Sequence, residues 1–164
     1  MKLTSLSRLA VQHARNHLAE EVYLRSGKDG TRPISFYGLV NERCNVRCRY
    51  CEFWRLDNYQ AEMSIAQWQQ ALLSIKEFVG KFSISFSGGE SFMKKGFVDL
   101  LAWCREQEIE AGVTTNGSAL SLKMAARIVA ARPLNVNISC DGPDAQTHDY
   151  LRGWPGLFDT LSAG

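Results

Sequence analysis

The chain has 164 residues, 45% of them hydrophobic and 22% charged. That length fits one domain rather than two, and the ordinary composition excludes disordered and fibrous classes. A closed barrel of eight strands and eight helices is excluded by size, because it needs about 250 residues. The net charge of +2 calls for no nucleic-acid partner. It hides an asymmetry: residues 1–55 hold ten Lys/Arg against five Asp/Glu, while residues 56–164 hold nine against twelve. Arg43, Arg47, Arg49 and Arg55 crowd around three cysteines. They read either as a solvated basic face or as charge balance for an anionic bound group. Five cysteines is an odd number, and no apolar leader opens the sequence, so a secreted disulfide framework is disfavoured and the reducing cytoplasm is expected. No run approaches the ~18 apolar residues that span a bilayer, so no membrane partner is expected.

Residues 1–19 carry Lys2, Arg8 and Arg15 and no acid. An amphipathic helix accounts for them, with Leu6, Leu9, Ala10, His13 and Leu18 near helical spacing. The loop SGKDGTRP (26–33) separates this helix from the rest, so residues 1–33 form a helix and basic linker and 34–164 form the core domain. Residues 34–40 (ISFYGLV) predict a strand, followed by a cysteine-rich loop to about Met63. Ser64 then caps a helix, with Gln67 completing a capping box and Ile65, Trp68, Leu72, Ile75 and Val79 on one face. Residues 82–87 predict a second strand ended by Gly88-Gly89. A helix follows over roughly 95–108, with Phe97, Leu100, Leu101 and Cys104 inward. Residues 111–115 predict a third strand closed by Asn116-Gly117, and 120–131 a helix stopped near Pro133. Residues 135–140 predict a fourth strand closed by Asp141-Gly142-Pro143. A further helix begins near Gly156.

Strand–helix alternation with short connections predicts parallel βαβ units. Buried parallel strands normally read as continuous apolar runs. Here the second strand alternates, Phe82, Ile84 and Phe86 against Ser83, Ser85 and Ser87, and the fourth alternates likewise. One face therefore packs on helices and the other lines something polar, which fits a wide, partly open barrel better than a flat doubly wound sheet. The same parity points Cys140 into the helix layer, and Cys104 sits on an apolar helix face. Both are expected to be buried structural cysteines.

Cys44, Cys48 and Cys51 stand in the loop after the first strand as CNVRCRYC. Three thiols within eight residues gather around one centre at small loop-closure cost. Zinc and closed iron–sulfur clusters both use four ligands, and no fourth Cys or His is close in sequence. Three ligands therefore point to a cluster with one iron open. A closed, non-catalytic iron–sulfur or zinc module, completed from afar by Cys104 or Cys140, is the competing reading.

The spacing C-x3-C-x2-C, with Tyr50 before the last cysteine, resembles the signature of the radical S-adenosylmethionine enzymes. The resemblance implies that Cys44, Cys48 and Cys51 hold a 4Fe–4S cluster whose fourth iron is chelated by S-adenosylmethionine. Reductive cleavage then gives a 5′-deoxyadenosyl radical that abstracts hydrogen from substrate, an oxidoreductase chemistry that needs a reductant such as a flavodoxin or ferredoxin. Ser87-Gly88-Gly89-Glu90 is similar to the family's glycine-rich motif, whose backbone receives the cofactor's amino group. By the same carry-over Asn116 lies near the ribose and methionine moiety, Ser139 and Asp141 contact ribose or carboxylate, Arg152 in HDYLRG pairs with the carboxylate, and Tyr50 lies against the adenine. Asn116 and Asp141 are also ordinary turn residues and Arg152 an ordinary surface charge. Their succession at four strand ends is what carries the resemblance. His148 reads as a helix-start or turn residue, and no residue is assigned a catalytic acid–base role.

The stretch CDGPDAQTHDYLRG resembles the branch that often carries a cysteine-rich, SPASM-type C-terminal extension and modifies peptides and proteins, among other substrates. The implied fold is a parallel partial TIM-type barrel of about six strand–helix units, of which four are present. Truncation to the N-terminal half is the expected reason. Self-association or a partner chain completing the barrel would also satisfy the exposed edge strand.

Overall fold

A computed structural model of the protein describes residues 3–56 and 62–163. Positions 57–61 of the cysteine loop, and the side chains of residues 3–9 with Leu6 and Leu9 among them, lie outside the described residues. Four strands, β1 (Ser35–Asn41), β2 (Ser83–Gly88), β3 (Glu110–Thr115) and β4 (Val136–Ile138), form one sheet in chain order. All three pairings are parallel, so each needs a crossover segment. Helices α2 (Ile65–Val79), α3 (Phe97–Glu106) and α4 (Leu122–Ala131) supply these crossovers, α1 (Leu3–Ser26) precedes β1, and α5 (Ala145–Arg152) and α6 (Leu157–Ala163) follow β4. The expected α/β architecture, four strand–helix units of a partial barrel behind an N-terminal helix, is present.

Local signals start the helices where the sequence places them. Ser64 Oγ accepts from the Gln67 N–H at 3.2 Å, and the Ser64 N–H donates to Gln67 Oε1 at 2.8 Å, closing the capping box of α2. Ser121 caps α4 by accepting from the Met124 N–H. The parity of β2 holds: Ile84 and Phe86 are buried while Ser83, Ser85 and Ser87 are half-buried. Register places Ile84 between Phe36 and Ala111, and Phe86 between Gly38 and Val113. Against this row pack Leu72 and Val79 of α2, the apolar face of α3, and Ile128 and Ala131 of α4. Edge-to-face contacts link Trp68 to Phe86, Phe86 to Phe97 and Phe97 to Phe92, with centroids 5.3 to 5.6 Å apart. The opposite face is open: Tyr37 is 85% exposed and Leu39 58%, and the Ser35 and Ser83 hydroxyls meet at 2.8 Å.

Two expectations need correction. The fourth strand ends at Ile138 rather than at residue 140, and Cys140 is exposed rather than turned into the helix layer. β4 is the sheet's edge, where even Ile138 is 48% exposed. Beyond it the chain turns, and the Cys140 thiol donates to the Gly142 carbonyl at 3.3 Å. Parity thus stops being informative where the ladder stops. The second correction is α5, where His148 reads as a helix-start or turn residue but lies in mid-helix; Asp144 caps it by accepting from the Thr147 N–H at 2.8 Å, and Gly153 ends it in the left-handed region.

Cys104 lies fully buried in the main core, as expected. Burial pushes its thiol up to about 12, so at pH 8 it remains protonated and shielded. Iodoacetamide at pH 8 is expected to label Cys140 in the native protein and spare Cys104 until denaturant is added. Peptide mass mapping checks this, and early labelling of Cys104 would contradict its placement.

Candidate active site

Parallel strands bring all their carboxyl ends to one side of the sheet, where barrel sites form. At the end of β2, Gly88 and Gly89 press against the chain leaving β1. A Cβ on Gly88 would fall 2.1 Å from the Asn41 carbonyl oxygen, and one on Gly89 2.0 Å from that of Arg43. Gly88 also has φ +119, which side chains rarely adopt. The close approach is sealed by hydrogen bonds from the Gly89 N–H to Asn41 O and from the Glu90 N–H to Arg43 O, at 3.0 and 2.8 Å.

Glu90 is fully buried. Its Oε1 accepts from the Phe92 N–H at 3.1 Å and the Thr115 hydroxyl at 2.8 Å, and its Oε2 from the Asn116 N–H at 2.7 Å. The carboxylate therefore ties the end of β2 to the end of β3, with its oxygens turned to protein donors. Asn116, so held, points its side-chain amide at the Cys44 sulfur, 3.7 Å away, and at Asn45 Oδ1, 3.1 Å away.

The cysteine loop makes its own small core. Val46, Cys48 and Leu157 are buried together, with Cys44, Cys51 and Trp154 packed around them. The Trp54 indole N–H donates to Cys48 O at 2.8 Å, and the Arg49 N–H to Leu151 O at 2.9 Å. Gly153 lets α5 end directly on the loop, since a Cβ there would lie 2.4 Å from Arg47 O. Burial pushes the Cys44 thiol above its ordinary value, against hydrogen bonds from the Val46 backbone and Asn116 that favour its thiolate.

A third group joins the end of β4 to this loop. Arg152 is buried, 3.6 Å from the Cys48 sulfur through Nη1. Its Nη2 donates to Asp141 Oδ1 at 3.0 Å, and its Nε lies 2.7 Å from Oδ2, a two-point contact suited to a guanidinium. The Tyr50 hydroxyl donates to Asp141 Oδ2. Burial first, and the Asp141 bond second, hold that phenol well above the ordinary tyrosine range. His148 is fully buried inside α5, and its Nδ1 accepts from the Asp141 N–H at 3.1 Å. Ser139 continues the ladder beyond β4 by donating its N–H to Thr115 O at 3.0 Å.

All eleven sequence-predicted positions lie at these strand ends, in the cysteine loop or on α5. Sequence reading missed Asn41, Asn45, Thr115 and Trp154 as members of the site. Asn41 is 4% exposed and donates to Glu90 O at 2.9 Å. A polar residue ending an apolar strand immediately before the cysteine loop was the available signal.

Residues 39–162 match the model of the Radical SAM superfamily, and the chain belongs to that family. It is 31% identical over 126 residues to an AdoMet-dependent heme synthase of Nitratidesulfovibrio vulgaris, covering 76% of this chain and 34% of the relative. It is 28% identical over 125 residues to a PqqA peptide cyclase of Rhodopseudomonas palustris, covering 76% of this chain and 33% of the relative. In fold it is similar to Streptococcus suis SuiB bound to S-adenosylmethionine, with a TM-score of 0.70 at 20% identity over 92% of this chain and 35% of that one. The chain spans about a third of the length of the curated relatives it matches.

Proposed function

We propose that the chain is the cofactor-binding portion of a radical S-adenosylmethionine enzyme, with Cys44, Cys48 and Cys51 as ligands of a 4Fe–4S cluster. The observation that carries the reading is the cysteine loop itself. Its three thiols share one apolar enclosure, and Asn116 and Arg152 direct N–H groups at two of the sulfurs. Such donors stabilise thiolate charge on a cluster. Among the described residues, no three His, Cys, Asp or Glu side chains are placed to hold one metal ion. A closed module using Cys104 is disfavoured, because that thiol lies in the main core and not in the cluster that encloses the other three.

When bound, cluster and S-adenosylmethionine together supply the 5′-deoxyadenosyl radical that takes a hydrogen atom from substrate. The protein's own contribution is placement. Gly88 and Gly89 let the end of β2 close against the chain leaving β1, Glu90 holds Asn116 in position, and Asp141 with Arg152 and Tyr50 forms a polar triad beside Cys48. We assign Ser139 and this triad to the ribose, carboxylate and adenine of the cofactor. Relatives named for haem synthesis and for peptide cyclisation both stand near this chain. The proposal therefore names the reaction step, and we assign most substrate contacts to the rest of such relatives' length.

Anaerobic reconstitution with iron and sulfide, followed by S-adenosylmethionine and dithionite, is expected to yield 5′-deoxyadenosine. Alanine at any one of Cys44, Cys48 or Cys51 should abolish both the cluster's absorbance and the product. A cluster retained in all three variants would end the assignment.

A further inference from the structure

Of the arginines around the cysteines, Arg43 faces Glu62 at 3.9 Å, and the others divide into two sets in the fold. Arg152 is buried, paired with Asp141, and touches the Cys48 sulfur, so it belongs to the interior of the site. Arg47, Arg49 and Arg55, drawn from the cysteine loop, are exposed. They are also held in place. Arg47 and Arg55 both lie over the indole of Trp54, with Cζ 6.0 and 4.9 Å from the ring. Arg49 lies 3.9 Å over the ring of Tyr150 and donates through Nε to Tyr150 O at 3.0 Å. Trp54 is in turn bonded to Cys48 O, which joins this surface to a proposed cluster ligand through a single hydrogen bond. Within residues 44–55 the only acid is Glu52, which pairs with Arg55 at 2.9 Å.

Exposed guanidiniums stacked on aromatic rings keep their charge toward solvent at reduced conformational cost. Arginine with tyrosine and tryptophan is also the composition of interface hot spots. We propose that the Arg47–Trp54–Arg55 and Arg49–Tyr150 surface is the docking site of an acidic one-electron donor protein. The inference rests on the cluster assignment above, because an electron arriving here needs an acceptor behind the loop. One electron passes from the donor to the oxidised cluster, and no atom changes hands at this surface. Redox encounters are typically small and weak, so fixed charges that steer association matter more here than a large apolar contact.

The test uses the reconstituted chain with Arg47→Glu/Arg55→Glu, leaving Arg49 for its backbone bond, and with Arg105→Glu on α3 as a charge control. Binding of an acidic bacterial flavodoxin, read by calorimetry, is expected to weaken about tenfold or more in the double variant and between 50 and 300 mM salt. The Arg105 variant should bind like the parent. Cluster reduction followed by EPR should slow by a similar factor with flavodoxin and remain unchanged with dithionite, which needs no docking. Equal flavodoxin affinity in the double variant, or equal slowing with both reductants, would overturn the proposal. So would arginine-dependent binding of a polyglutamate peptide alongside no binding of flavodoxin, which would make the surface a peptide site. Failure of the parent chain to assemble a cluster would instead count against the assignment beneath it, while the calorimetric comparison still decides the docking surface.

Discussion

Glu90→Ala is expected to cost at least about 3 kcal/mol of stability, because three buried donors lose their acceptor at about 1–3 kcal/mol each. The Phe92 N–H, the Thr115 hydroxyl and the Asn116 N–H all point at one fully buried carboxylate. Against a total of about 5–15 kcal/mol for a whole domain, that loss leaves a marginal fold. Glu90→Gln sharpens the test. Whichever way its amide is turned, an NH2 group faces the backbone N–H of Asn116 or of Phe92, so a near-isosteric change should still cost about 1–3 kcal/mol. Urea unfolding of the two variants measures both effects. A Gln variant as stable as the parent would show that the carboxylate is not required as an acceptor. Asn116 would move with the lost strut, so iron content after reconstitution should fall in parallel with stability.

Arg152→Met carries the second large effect. The guanidinium and the Asp141 carboxylate are mostly withdrawn from water, with side chains 10% and 22% exposed. Removing one partner of such a pair strands the other charge, at about 3 kcal/mol, the low end for a fully buried pair. Methionine fills much of the volume, so packing changes little and the electrostatic loss dominates. Arg152→Lys keeps a charge but not the fork that reaches Asp141 at two points and Cys48 at a third. It should recover part of the stability and little of the affinity for S-adenosylmethionine. Thermal unfolding together with equilibrium dialysis of the cofactor separates these outcomes, and full recovery of both by lysine would refute the geometric role given to the guanidinium.

Much of the fold was legible because two independent signals agreed at each element. The capping box at Ser64 and the period of Ile65, Trp68 and Leu72 define α2 together, and the serine–aromatic alternation of β2 fixes which face is covered. The two failures have different causes. Cys140 was read from strand parity, but parity has meaning only where a neighbouring strand enforces the pleat, and β4 has a described partner on one side only. α5 has a low apolar content, and its burial comes from His148 and Arg152, polar residues that a hydrophobic pattern does not count. In the site, the cysteines were legible from spacing, and Gly88-Gly89 only through the family resemblance. The cage around Glu90 was not, because it joins residues 25 and 26 positions apart through a threonine hydroxyl and a backbone N–H that carry no sequence signature.

The unbroken order β1-β2-β3-β4 has a consequence for how the chain comes to be folded. No strand waits for a later one to be inserted beside it, so each completed strand–helix unit offers a finished template to the next. The two later connections, 89–109 and 116–135, are alike in length and about half as long as the first, 42–82, so the closure entropy of the later steps is the lower. Assembly can then follow the direction of synthesis, one unit at a time. The cysteine loop, emerging after the first strand, must wait for α5 and α6 before Arg152 and Leu157 can enclose it. Its enclosure is thereby timed to the last of the four units.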